Sequence, residues 1–333
     1  MMTMNGWLCE NPTGADQLQW KPLSLAAPGS GQALVAVRAA SLNFPDLLTV
    51  ENKYQIKPTL PFVPGAEYAG VVQEVGPDVT HLHKGQHVAV IGASGGFASH
   101  ALAQAAHCLP LPPDMPFEHA AAFAFTYGTT HHALMDRAQL QAGETVLVLG
   151  AAGGVGSSAI QVAKAAGARV IAGVSTEEKT AFCRSLGADE TLNYGTEDVR
   201  ERLKLLTQGR GPDVVYDPVG GPLAEPVFRS IAWRGRYLVI GFAGGGIPAL
   251  PWNLALLKGA SVVGVFWGDF VRREPSAFAR GLQQLLGWYQ QGLIKPAIDR
   301  VLPMSEVPQA YRLMATRAVR GKLVLTNPPA TPA

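Results

Sequence analysis

The sequence predicts an α/β protein: a doubly wound parallel sheet inserted within a β-rich, partly closed barrel domain. Three observations carry this prediction. Short strand patterns punctuated by Gly and Pro fill the first third, strand and helix patterns alternate from about Tyr127, and the last segments are too few to bury a core of their own. At 333 residues, 47% hydrophobic and 16% charged, the chain is long enough for two globular domains and too apolar to be disordered.

In chain order, Ala33–Arg38 reads as a strand, Tyr68–Val75 ends at Gly76-Pro77, and His87–Ile91 ends at Gly92. The Pro-rich passage Leu109–Pro116 leads into a helix from Phe117, with Asp114 as its expected cap. A helix over Gly128–Arg137 then precedes strand 145–149, helix 157–166, strand 169–174 and helix 177–186. Further strands read at Glu190–Asn193, Asp213–Asp217, Gly235–Gly241 and Ala260–Val265. Beyond Phe266 there are one long helix, Ala277–Gln291, and a final strand, Lys322–Leu325, which are expected to rejoin the amino-terminal barrel. The expected domains are therefore 1–125, 126–265 and a return to the first domain over 266–333.

Several function classes are excluded. A net charge of +2 with no Lys/Arg run implies no nucleic-acid partner and no anionic lipid surface. No signal peptide and no apolar stretch of spanning length are read, so no membrane is expected and the cytoplasm is the expected location. Cys9, Cys108 and Cys183 are isolated, which argues against a disulfide framework or a structural zinc. His131 and His132 are adjacent on a helix and diverge by about 100°, and His81-x-His83 has no acidic or thiol partner beside it, so no metal is expected. The carboxyl end from Asn327 is expected to fray.

The most informative stretch runs from Val146 to Ser175: a buried strand, Gly150-Ala-Ala-Gly-Gly-Val-Gly156, a helix and a second strand. This is the order that cradles a dinucleotide pyrophosphate. Gly150 permits the sharp exit from the strand, Gly153 and Gly154 let backbone approach phosphate, and Gly156 lets the helix pack closely. The helix, with Val155 in its first turn, presents unpaired N–H groups and its positive dipole end. Ser175 closes the second strand where an NAD-specific site carries Asp or Glu, and Lys179 is placed to bring an ammonium to a 2′-phosphate. Lys179 has an alternative reading as a solvated lysine beside Glu177 and Glu178.

Together with Ala40–Asp46, Pro64–Gly70, Ser175–Lys179, Asp213–Gly220 and Gly321-Lys322, the glycine turn resembles the medium-chain dehydrogenase/reductase superfamily, in its zinc-free NADPH:quinone oxidoreductase branch. The resemblance implies a Rossmann domain inserted in a GroES-like domain, with NADPH as cofactor. Zinc alcohol dehydrogenases of that superfamily carry a ligand Cys where this chain has Asn43, and Gly-His-Glu where it has Gly65-Ala66-Glu67. A zinc here would lack N/S donors, and simple alcohol oxidation is disfavoured without a Lewis acid.

By resemblance, Ser175, Lys179 and Tyr194 surround the 2′-phosphate, while Asn43, Thr126, Gly241, Phe242 and Lys322 lie near the nicotinamide. Thr126 and Phe242 have packing as an equal alternative. Tyr54 matches a tyrosine near the nicotinamide and is either a proton donor or an aromatic wall. Phe266 and Trp267 could line a pocket for a flat acceptor. Asp46 reads as a helix cap, Glu67 as a hydrogen-bonding group, and Arg272 and Arg273 as a solvated pair or a site for an anionic substrate.

The expected activity is reduction of quinones or conjugated carbonyls by hydride transfer, in a water-excluded site. An enoyl- or acryloyl-CoA-type reductase and a non-catalytic NADPH-binding protein are the alternatives. A homodimer through strand 260–265 is expected, because an apolar sheet edge tends to be covered.

Overall fold

The computed structural model describes residues 2–328. The expected frayed tail lies, from residue 329 on, outside them. The described residues form two compact units, 2–125 with 298–328, and Thr126–Ala297.

The first unit is built on the eleven-residue strand Gln32–Leu42, whose side chains are buried on both faces. Glu67–Val75 runs antiparallel along one edge. The other edge is shared: His100–Gln104 pairs with residues 32–36 and Lys322–Thr326 with residues 39–42. Its pairing with Glu67–Val75 shifts register at Leu34/Val35 and Val37/Ala39, irregularities of the kind that bend and twist a strand. The sheet runs Ile298–Pro303, Lys322–Thr326, Gln32–Leu42, Glu67–Val75, His87–Ile91, Cys108–Pro110 and is open at both ends. Val35, Val37, Leu42, Tyr68, Val88, Phe97, Tyr311 and Leu323 fill its core. The amino-terminal hairpin of Met2–Leu8 and Gln19–Leu25 forms a separate two-stranded sheet.

The second unit is a six-stranded parallel sheet in the order Glu190–Asn193, Arg169–Val174, Thr145–Val148, Val214–Asp217, Arg236–Val239, Ser261–Gly264. The order reverses between Thr145–Val148 and Val214–Asp217, the switch point where such sheets bind ligands beyond their carboxyl ends. Both inner strands are wholly buried, which explains their unbroken apolar runs. The edge strand Ser261–Gly264 is largely exposed.

The contact division falls at 298 rather than at the expected 266. Helices Trp267–Arg273 and Pro275–Gln290 pack within the second unit: Phe270 stacks on His132 at 3.9 Å, and His131 Nε2 meets Gln284 Oε1 at 2.7 Å. The helix read over Gly128–Arg137 is in fact Ala124–His131 followed by a π-helical segment, His132–Arg137. Asp114 does not cap the helix Phe117–Ala120; Pro116 stands at that position. No helix among the described residues is long and apolar enough to cross a membrane.

Candidate active site

The first unit carries a buried polar cluster at the carboxyl end of Gln32–Leu42. Asn-x-Pro-Asp opens the helix Phe44–Val50, and Asp46 Oδ2 accepts the Asn43 N–H at 2.8 Å while Oδ1 accepts the Ala66 N–H at 3.0 Å. Asp46 is therefore the helix-start residue that its motif suggests, and it also ties the helix to the Gly65-Ala66-Glu67 segment. Burial pushes its carboxyl up to about 6, against the pull of these two bonds and of Lys322.

Glu67, 0% exposed, is the hub. Its Oε2 accepts from Ser41 Oγ at 2.8 Å, Asn43 Nδ2 at 3.0 Å and Lys322 Nζ at 3.5 Å, and its Oε1 accepts the Phe125 N–H at 2.8 Å. Lys322, 4% exposed, also donates to the Leu42 carbonyl at 3.2 Å and to Asn43 Oδ1. Burial lowers its ammonium below the ordinary lysine range, opposed by Glu67 and Asp46. The three N–H groups of Lys322 thus have three protein acceptors. Tyr54 is half-buried after the same helix, its N–H on the Leu48 carbonyl. Burial, then the Asp46 carboxylate, raises its phenol, which keeps a proton through the neutral range.

In the second unit the glycine turn closes on itself. The Gly153 N–H donates to the Gly150 carbonyl at 2.9 Å, and the helix Gly154–Ala165 begins immediately after. Gly150 sits at φ +56°, and a Cβ on Gly156 would lie 2.3 Å from Gly150 O and 2.7 Å from Ala151 Cα. Only a side-chain-free residue fits at 156, and the obstacle is the turn's own backbone. The leading N–H groups at Gly154, Val155 and Gly156 are those an α-helix leaves without intrahelical partners. This donor set fits a pyrophosphate.

Ser175 is exposed at the end of strand Arg169–Val174. The half-buried Tyr194 phenol, raised by burial and then by Asp217, lies within hydrogen-bond reach of the Gly150 backbone and the Ser175 side chain. Three residues singled out from sequence are thus brought together. Lys179 stands in the first turn of helix Glu177–Ser185. Thr126 is buried, its carbonyl accepting from Ser158 Oγ at 3.2 Å, and Ser158 in turn meets Thr130 Oγ1 at 2.7 Å. These hydroxyls fasten the Thr126 segment to the glycine-turn helix.

The remaining candidates are placed as follows. Phe242 lines an apolar cavity of about 170 Å³ with Tyr237, Trp252 and Val262. Gly241 precedes it, its N–H on the Asp217 carbonyl. Trp267 is 6% exposed, wedged against Gly128 and edge-on to Phe278, whereas Phe266 is half-exposed. Arg272 and Arg273 both bind Asp269, at 2.8 and 2.7 Å. Among the described residues no group of three or more His, Cys, Asp or Glu side chains could hold a metal ion. Sequence reasoning missed Asp217: Oδ1 accepts the Val219 and Gly220 N–H groups and Oδ2 accepts Tyr237 Oη at 2.5 Å, fixing the loop at the switch point. Its signal was the Asp-Pro-Val-Gly-Gly turn.

Comparison with known proteins bears on both units. The profile of the zinc-binding dehydrogenase family matches residues 154–285, and that of the alcohol dehydrogenase GroES-like domain matches residues 29–113. The chain is 38% identical over 302 residues to a quinone oxidoreductase-like protein 2 homolog of Nematostella vectensis, covering 90% of this chain and 82% of that one. Its fold matches a mycobacterial protein solved in complex with NADPH, with TM-score 0.89 and 29% identity over 97% of this chain and 100% of that one. It also matches the Escherichia coli quinone oxidoreductase complexed with NADPH, with TM-score 0.88 and 28% identity over 98% and 99% of the two chains.

Proposed function

Because the chain belongs to the medium-chain dehydrogenase/reductase superfamily, in its quinone oxidoreductase-like branch, we propose that it uses NADPH to reduce quinones or other conjugated carbonyl acceptors without a catalytic zinc. The observation that carries the cofactor is the joining of Tyr194 to Gly150 and Ser175: the strand beside the glycine turn ends in hydroxyls, where a carboxylate would repel a 2′-phosphate. Lys179 supplies the cation for that phosphate, and the leading N–H groups of helix Gly154–Ala165 hold the pyrophosphate.

When bound, the cofactor supplies a hydride. Tyr54 offers a phenol that stays protonated and can donate to the oxygen on which the reduced acceptor gathers charge. Asn43 and Thr126 orient the carboxamide. Zinc independence is supported by the donor set: an amide replaces a thiolate at 43, and an ammonium already engages Glu67. An acceptor without a Lewis acid must spread its own charge, which conjugated carbonyls do. The same reading assigns a homodimer through strand Ser261–Gly264 and a cytoplasmic location.

The test is steady-state turnover with NADPH and NADH over a panel of quinones, enones, enals and enoyl-CoA thioesters. The expected result is kcat/KM at least about tenfold higher with NADPH and highest with quinones or enones, tenfold being about 1.4 kcal/mol of transition-state stabilisation. NADH preference overturns the cofactor, and superior CoA thioesters overturn the acceptor class. Binding without turnover across the panel overturns the enzyme reading.

A further inference from the structure

Resemblance places Lys322 near the nicotinamide, but its three N–H groups meet Leu42 O, Asn43 Oδ1 and Glu67 Oε2. We propose that Lys322 is a positioning residue: a resident cation, in the role a metal ion would otherwise fill, that locks the Asn43 amide in one orientation and anchors the buried Glu67 side chain.

The two ends of an Asn side chain have nearly the same shape, so sterics alone barely choose between them. Here the choice is made twice. The ammonium requires the oxygen of Asn43 on its side, and Glu67 Oε2 requires the nitrogen on the other. Turning the amide over would set NH2 against NH3+ and carbonyl oxygen against carboxylate, two repulsions in a site with almost no water. One N–H of Asn43 is spent on Glu67 and the second is left in a defined direction. Glu67, engaged by the same ammonium, spends its other oxygen on the Phe125 N–H. The Asn43 amide assigned to the carboxamide therefore depends on one buried ammonium that does not itself touch the cofactor.

This inference rests on the NADPH-reductase reading, and its tests separate the two. In the cofactor-free protein, Lys322→Ala leaves an ammonium-sized hole beside Glu67. Ethylammonium is expected to raise the Tm of Lys322→Ala by several degrees and that of the wild type hardly at all, because a guest cation stabilises only the state that binds it. No difference between the two proteins overturns the cation role. This readout stands even if the wild type turns over no acceptor, a result that would overturn only the reductase reading.

In turnover assays, Lys322→Met is expected to lower kcat at least about tenfold while the KM and Kd for NADPH shift less than about threefold. A tenfold loss of NADPH affinity with kcat retained overturns the proposal and makes Lys322 a direct cofactor ligand. Combining Lys322→Met with Asn43→Ala is expected to cost no more than the worse single change, since contacting residues that act as a unit are not additive. Losses that multiply overturn action through Asn43. Should Lys322→Met leave Glu67 uncompensated and fail to fold, Lys322→Met with Glu67→Gln removes both charges. That pair is expected to fold and remain at least about tenfold slow, and full activity in it overturns the proposal.

Discussion

A carboxyl group with no access to water imposes its proton equilibrium on the stability of the fold, and Asp46 is such a group. Its value in the folded chain, about 6, stands above the ordinary 3.8. Below about pH 4 it is protonated folded or unfolded. Between about 4 and 6 the folded chain holds a proton that the unfolded chain has released, so stability from this group falls as pH rises through that window and is lost above it. At 1.36 kcal/mol per pH unit, the loss amounts to at most about 3 kcal/mol. Urea unfolding of wild type and Asp46→Asn at pH 4.5 to 7.5 checks this: the wild type's advantage is expected to shrink as pH rises, and a constant advantage would remove Asp46 as the titrating group. Tyr54 tests chemistry at the same scale. Tyr54→Phe keeps the ring and is expected to slow kcat less than about tenfold, with water supplying the proton; a loss of about 10² to 10⁴ would mark an obligatory acid.

At the scale of the element, the glycine turn separates two demands that sequence alone merges. A Cβ at Gly156 meets backbone at 2.3 Å, whereas one at Gly153 comes no closer than 3.3 Å to Gly150 O, and Gly153 has an ordinary φ of −79°. Gly156→Ala is therefore expected to cost about 1–3 kcal/mol of stability by overpacking, and Gly153→Ala to fold normally. Both are expected to weaken NADPH at least about tenfold, Gly153→Ala because its methyl stands where phosphate approaches the helix end. Thermal melts with fluorescence titration of NADPH read the two effects apart, and a destabilised Gly153→Ala would contradict this division. The inner parallel strands were legible because burial on both faces writes an unbroken apolar run into the sequence. Helix Val307–Ala315, which follows the strand Ile298–Pro303, buries Val307, Ala310 and Tyr311 at helical spacing, a signal that sequence reading missed behind Pro308 in its first turn. The switch to π-helix at His132 leaves no compositional trace.

For the whole molecule, the exposed apolar surface gathers beside the sheet edge. Trp252 and Leu256 are 81% and 80% exposed, and Val262 lies on the edge strand itself. An open apolar edge invites another strand. Light scattering is expected to give a dimer, and Val262→Lys a monomer; a wild-type monomer would count against pairing through this edge. Most of the cofactor turn was readable because its residues are near neighbours in sequence. The polar cluster was not: Lys322 meets Asn43 and Glu67 across separations of 279 and 255 residues, which no local pattern encodes. Asn43 and Glu67 could be named from their motifs, but the ammonium between them could not. Trp267 shows the same limit, since its seat on Gly128 exists only in the fold.

That seat has a consequence for anyone wishing to redesign acceptor range. A Cβ at residue 128 would press into the indole at 2.9 Å, so the smallest side chain and the largest are fitted as plug and socket. A library that randomises Trp267 to reshape a pocket would sort its members by how well they refill that socket, and survivors would report thermal tolerance instead of selectivity. Phe266, one residue earlier, is half-exposed, and substitution there disturbs packing far less.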